Sequence, residues 1–220
     1  MGITQQIGAS SLIKPGVIDN TAARPASPYE GQMVYEKDTD MLAIWNGTAW
    51  RYIAATTPTN GTVLQVQSTT MSDTQVVSAK DTWTTITNLQ ATITPKSASS
   101  KIFVTVNISY GGGDNIYGAA RLVRGSTVIA IGDAASTRTR VTAPLMVDND
   151  SASGSAKLLS ASLSFLDSPA TVSSTDYKLE VWNDSAVGGG ALNINRSGGD
   201  STNTFYMRGV STITVMEIAG

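Results

Sequence analysis

The chain has 220 residues, 41% of them apolar and only 15% charged, with a formal net charge of −2. That balance leaves no basic footprint for nucleic acid, and no run approaches the roughly 18 uninterrupted apolar residues of a membrane span. Histidine and cysteine are both absent, which removes disulfides, the commonest metal ligand and every Ser–His or Cys–His nucleophile.

Ser and Thr fill about a quarter of the positions, beside 20 Gly. Thr suits strands and Ser and Gly suit turns, so many short strands are expected rather than helices. The length allows one sizeable domain and a small module. Met1-Gly2-Ile3-Thr4-Gln5-Gln6 lacks the charged and apolar regions of a secretory signal, and Gln6 breaks the myristoylation pattern.

In chain order, residues 1–23 read as an extended arm. Its Ile3, Ile7, Leu12, Ile13, Val17 and Ile18 suit either a disordered terminus or a strap that orders on a neighbouring subunit. Residues 24–53 form a second segment. Arg24-Pro25-Ala26-Ser27-Pro28-Tyr29-Glu30-Gly31 is rich in turn residues. Strands are expected over Gln32–Glu36, Met41–Trp45 and about Ala49–Ile53, with Asn46-Gly47 as a type I′ hairpin turn in which both residues take positive φ. This β-meander carries Tyr29, Tyr35, Trp45, Trp50 and Tyr52. A sheet so small does not hold a core of its own, so these five rings are the candidate assembly interface. A carbohydrate platform is the competing use for them.

The string from Arg24 to Glu36, with Asp38-Thr39 and Trp45-Asn46-Gly47-Thr48-Ala49-Trp50, resembles a motif found near the ends of phage tail-fibre and minor virion proteins. The resemblance implies a small β module in an elongated, often trimeric, assembly. It carries no catalytic residues.

Residues 54–61 read as a linker, and residues 62–220 as an antiparallel, jelly-roll-like β-sandwich. Val63–Thr69 is a first strand. Thr82–Pro95 reads as two strands broken near Asn88. Lys101–Tyr110 aligns Ile102, Val104, Val106 and Ile108 on one face, with the run Gly111-Gly112-Gly113 as the loop that ends it. Ala119–Ile131 reads as a hairpin turning at Arg124-Gly125-Ser126-Thr127. Leu158–Leu166 aligns Ala161, Leu163 and Phe165. Tyr177, Leu179 and Val181 face a core while Lys178, Glu180 and Trp182 face water. Gly188-Gly189-Gly190 leads to Leu192 and Ile194, and Val210–Ile218 closes the chain with Ile213 and Val215 on one face. The expected fold class is therefore all-β, a small meander followed by a sandwich.

The second half also resembles structural proteins of marine and cyanobacterial phages. The matching pieces include Ile93-Thr94-Pro95, Arg124-Gly125-Ser126, Phe165-Leu166-Asp167-Ser168-Pro169, Tyr177-Lys178-Leu179, Ile194-Asn195-Arg196 and the C-terminal run from Ser211 to Ile218. Taken together, the two resemblances imply a tailed-phage virion protein.

Little enzymatic chemistry is legible. A serine nucleophile lacks a base, and neither glycine run precedes a helix and a lysine, as a phosphate cradle requires. The four glutamates, Glu30, Glu36, Glu180 and Glu217, are too scattered in sequence to announce a glycosidase pair. Asp148-Asn149-Asp150-Ser151 offers oxygen ligands without the spacing of a calcium loop. No catalytic, cofactor or metal residue is expected. The expectation is a non-enzymatic virion subunit, assembled in the host cytoplasm as a homotrimer with other tail, baseplate or capsid proteins. Residues 1–56 would anchor it and the sandwich would project. The alternatives are a capsid decoration protein and a tip that binds a host surface glycan through loops 111–118, 148–154 and 183–191.

Overall fold

The alternation of the sequence becomes a succession of β-strands in the computed structural model, which describes residues 15–53, 58–113, 115–148, 154–185 and 190–220. The chain forms two compact units, Met1–Thr57 and Pro58–Gly220.

In the first unit, β1 (Gly16–Ile18), β2 (Met33–Glu36), β3 (Met41–Trp45) and β4 (Trp50–Ile53) make one sheet in that order. β1 runs parallel to β2 and the other pairs are antiparallel. Part of the segment expected as an extended arm is thus an edge strand, while residues 1–14 of that arm lie outside the described residues. The Asn46-Gly47 hairpin forms, but not as a two-residue type I′ turn. Trp45 pairs with Trp50 across residues 46–49, and only Gly47 of the two takes positive φ, at +88°. The Asn46 side-chain oxygen instead accepts from the amides of Thr48 and Ala49 at 3.1 and 2.8 Å. An Asx-type bond from the side chain makes the turn that the backbone was expected to make.

The second unit contains eight longer strands and three of three residues, among the described residues. The longer ones are β5 (Val63–Met71), β7 (Thr84–Ile93), β8 (Lys101–Gly112), β9 (Ile116–Arg124), β11 (Ala143–Val147), β12 (Leu158–Asp167), β13 (Thr175–Asn183) and β15 (Ser211–Ile218). The short ones are β6 (Gln75–Val77), β10 (Thr127–Ile129) and β14 (Leu192–Ile194). One sheet runs β5-β15-β8-β12, with β14 beside the end of β8 and β6 beside β14. The other runs β7-β13-β9-β11, with β10 beside the other end of β9. Among the eight longer strands, every connection except β9 to β11 crosses between the sheets, the winding of a jelly roll.

The inner faces make one apolar core. Ile102, Val104, Val106 and Ile108 of β8 meet Leu122 of β9, Leu145 of β11, Tyr177, Leu179 and Val181 of β13 and Ile213 and Val215 of β15, all buried. Each such side chain contributes roughly 1.5–3 kcal/mol of transfer free energy.

Two local expectations are corrected. Thr84–Ile93 is one strand, not two, because Asn88 absorbs the irregularity at φ +64° in a bulge opposite Lys178 to Glu180. Gly111 and Gly112 belong to β8 and are not a loop. Gly111 pairs with Leu158 on one side and Asn193 on the other, and a Cβ there would lie 2.5 Å from the Lys157 carbonyl oxygen. The glycines serve close backbone approach where neighbouring chain segments crowd the end of β8. Of the candidate loops, residues 114, 149–153 and 186–189 lie outside the described residues, as do residues 54–57 of the linker and most of the Asp148–Ser151 cluster.

Candidate functional site

The register of the first sheet sorts the five candidate rings. Trp45, Trp50 and Tyr52 share a face with Val34, Glu36 and Ala43. Trp45 and Trp50 stand opposite each other, their ring centroids 5.7 Å apart and tilted by 59°. Tyr35 points to the other face, where its hydroxyl donates to Asp40. Tyr29 lies in the turn before β2 and is 70% exposed. Three of the five rings therefore cluster, and the remaining two stand apart from them.

Across the tryptophan face lies an ion pair between Arg24 and Glu36. The Arg24 guanidinium lies 5.8 Å from the Trp50 ring centroid and 5.2 Å from that of Tyr52. Its Nε pairs with Glu36, whose side chain is wholly buried, and its Nη2 donates to the Tyr52 hydroxyl at 2.8 Å. That hydroxyl donates in turn to Glu36 at 2.9 Å. The Arg24 hydrogen bond holds the Glu36 carboxyl below its ordinary range, against the opposing push of burial, and the Tyr52 hydroxyl adds to it. The sequence signal was available: Glu36 shares its strand phase with Val34. A carboxylate in that inward position needs a partner.

The opposite face is apolar and only partly buried. Met33, Tyr35, Leu42 and Ile44 line it, half-buried, with Val17 61% and Ile53 52% exposed at its edges. In the second unit a row crosses the outer face of the sheet containing β8. Val66, Met216, Phe103 and Leu166 stand side by side on β5, β15, β8 and β12, with Val66 and Leu166 about half exposed.

The outer face of the other sheet is different in kind. Arg121 on β9 is paired with Glu180 on β13 at 2.6 Å, and its guanidinium lies 4.3 Å from the Trp83 ring centroid. Beside this pair Tyr117, Ala119 and Trp182 border a recess of about 220 Å³. Trp182 lies on the wet side of its strand, as its alternation with Tyr177, Leu179 and Val181 predicts.

The glutamates are spread across separate settings. Glu36 is tied to Arg24 and Glu180 to Arg121, while Glu217 is buried and accepts from Gln65 Nε2 at 2.6 Å and from the Lys96 amide at 2.7 Å. Each of these three carboxylates is bound to a donor rather than set against a second carboxylate. Among the described residues no group of three or more Asp or Glu side chains is placed to hold a metal ion.

No protein-family model matches the sequence, and no curated protein matches it. Among solved structures the chain is similar to a chain of infectious bursal disease virus, Gt strain, with a TM-score of 0.37 and 12% identity, over 81% of this chain and 44% of that one. The Gx strain gives a TM-score of 0.36 and 12% identity, over 80% and 40%. The crystal structure of the VP2 subviral particle of the same virus gives 0.35 and 13%, over 89% and 46%. The chain spans less than half the length of each of these chains.

Proposed function

We propose that this protein is a non-enzymatic structural subunit of a tailed-phage particle, a fibre or appendage component that assembles through its N-terminal unit and presents a jelly roll. The observation that carries the reading is the two-sided apolar sheet of residues 16–53. One face carries Arg24 over Trp50 and Tyr52, and the other, with Leu42 and Ile44 at its centre, is apolar and only partly buried, with Val17 and Ile53 exposed at its edges. A sheet of this size with apolar side chains left partly exposed gains stability from a neighbour. The phage-like string from Arg24 to Trp50 supports a virion setting, and the elongated assemblies in which it occurs support a homotrimer.

We take the Tyr35, Leu42 and Ile44 face, with Val17 and Ile53 exposed at its edges, as the interface to be tested first. Sedimentation equilibrium of the full chain, at 23.0 kDa per copy, is expected to give a trimer. Leu42→Glu combined with Ile44→Glu is expected to give a folded monomer, with the circular dichroism of the jelly roll retained. A wild-type chain that sediments as a monomer at all accessible concentrations would falsify the assembly. Imaging of intact particles with an antibody to the chain then separates an appendage subunit from a protein of the head lattice.

A further inference from the structure

We propose that the outer face of the β7-β13-β9-β11 sheet carries a binding site for an uncharged pyranose ring, set between Tyr117 and Trp182. The inference is independent of the assembly described above, since every residue concerned belongs to the second unit.

The recess follows from strand register. Ala119 on β9 pairs with Trp182 on β13 and with Pro144 on β11, so a methyl group lies between two bulky neighbours. One step along the same face, Tyr117 pairs with Met146. Residues across a sheet repeat at roughly 4.8 Å and every second residue along a strand at roughly 6.7 Å. Ala119 is therefore the floor of a dish, and Trp182, Pro144 and Tyr117 are its walls. The dish measures about 220 Å³, with Thr139 and Asp184 also lining it.

The rings are not needed there for the core. Tyr117 is 42% and Met146 49% exposed, and both project away from the inner face that carries Ile116, Ala120 and Leu122. Exposed aromatic surface gathered around a depression is characteristic of a ligand site rather than of packing. Its chemistry narrows the ligand. An aromatic face takes the C–H side of a sugar ring, and oxygen groups at the margin take its hydroxyls. Thr139 and Asp184 supply oxygen atoms to the lining, and Arg121 is held nearby between Glu180 and the Trp83 ring. Asp184 is the one charged residue among those lining the dish, and it is an acid, so the lining offers no cationic group to hold a phosphate chain or an acidic sugar.

The test uses the full-length protein and saturation-transfer NMR with a panel of methyl pyranosides: glucoside, galactoside, mannoside, rhamnoside and N-acetylglucosaminide. At least one is expected to receive saturation through its ring C–H protons. Tyr117→Ala, at a well-exposed position, is expected to weaken that ligand by about tenfold, the scale of one aromatic contact. Ala119→Leu fills the floor while leaving both rings in place, and is expected to abolish binding. Both variants are checked for an unchanged thermal transition. The proposal is overturned if no pyranoside receives saturation, or if transfer survives in both folded variants. It is also overturned if a proline-rich peptide or single-stranded DNA binds at the dish and the sugars do not.

Discussion

Arg124 of one jelly-roll sheet grips Asp167 of the other. Its Nη1 lies 2.8 Å from both carboxylate oxygens, and the Tyr177 hydroxyl donates to the same group at 2.7 Å. Asp167 is 6% exposed and Tyr177 is fully buried, its hydroxyl pushed well above its ordinary range by burial and by the adjacent carboxylate. The three residues come from β12, β9 and β13, so the cluster ties the two layers together at one end of the core. Asp167→Ala strands the Tyr177 hydroxyl and leaves Arg124 without its partner. A loss of about 2–3 kcal/mol in urea unfolding is expected, at the lower end for a buried pair because Arg124 reaches water. Tyr177→Phe removes one hydrogen bond and keeps the ion pair, so about 1 kcal/mol is expected. Equal losses in the two variants would refute this division.

The buried Glu36 makes the first unit sensitive to acid. Its carboxyl titrates below the ordinary value of 4.5, chiefly through the Arg24 hydrogen bond. In the window between the folded and unfolded values the unfolded chain binds more protons, so stability rises with pH there. The contribution is fully present above about pH 4.5 and disappears as pH falls through the lower, folded value. With Trp83 and Trp182 replaced by Phe, the fluorescence of Trp45 and Trp50 reports this unit alone. Its melting temperature is expected to fall below pH 4.5, and Glu36→Gln is expected to lower it at pH 7 and flatten the acid limb. An acid limb unchanged in Glu36→Gln would show that another group controls it.

The apolar alternation was enough to read the sandwich. Ile102, Val104, Val106 and Ile108 fell on the core side, as did Tyr177, Leu179 and Val181, because a strand with one buried face writes its period of two into the sequence. Contacts between distant segments left no such trace. Arg124, Asp167 and Tyr177 belong to three pieces of the phage-like resemblance, and nothing in their spacing says that they meet. Glu217 shares the strand phase of Ile213 and Val215 and is equally buried, yet its partners Gln65 and Lys96 lie more than a hundred residues away. For the candidate rings, residue type was legible and the face each one takes was not. The five rings were found, but which of them face Arg24 depends on register. A glycine in a strand and a glycine in a turn also look alike in sequence.

That last distinction is measurable by placing one methyl group at each of three glycines. A Cβ at Gly111 would lie 2.5 and 2.6 Å from the carbonyl oxygens of Lys157 and Arg196. Gly111→Ala is expected to cost about 1–3 kcal/mol through overpacking. Gly125 has open space around it but takes φ +56° in the turn between β9 and β10, so Gly125→Ala is expected to cost about 1–2 kcal/mol through backbone strain. Gly132 has neither constraint, and Gly132→Ala is expected to be neutral or slightly stabilising through the unfolded chain. A Gly111→Ala denaturant midpoint as high as that of Gly132→Ala would contradict the assignment of Gly111 to a crowded strand.

Asn195 offers the sharpest test of a buried polar junction. It is fully buried at φ +60°, a conformation that Asn tolerates better than most residues. Its Nδ2 donates to the carbonyls of Met71 and Asp73 at 2.8 and 2.9 Å, and its Oδ1 accepts from Ser211 Oγ at 2.6 Å. The side chain thus fastens the end of β5 to the start of β15. Asn195→Gly keeps the backbone and loses all three bonds, while Asn195→Ala adds strain of about 1–2 kcal/mol to that loss. Asn195→Asp keeps the shape but turns a carboxylate oxygen toward two carbonyls, so its folded-state pKa must rise. The aspartate variant is then penalised most above its folded value. It recovers as pH falls through that value, because the protonated acid donates again to one of the carbonyls. Stability of Asn195→Asp relative to wild type should therefore increase on acidification, opposite in sign to the contribution of Glu36. A difference independent of pH would mean that the side chain had left the junction.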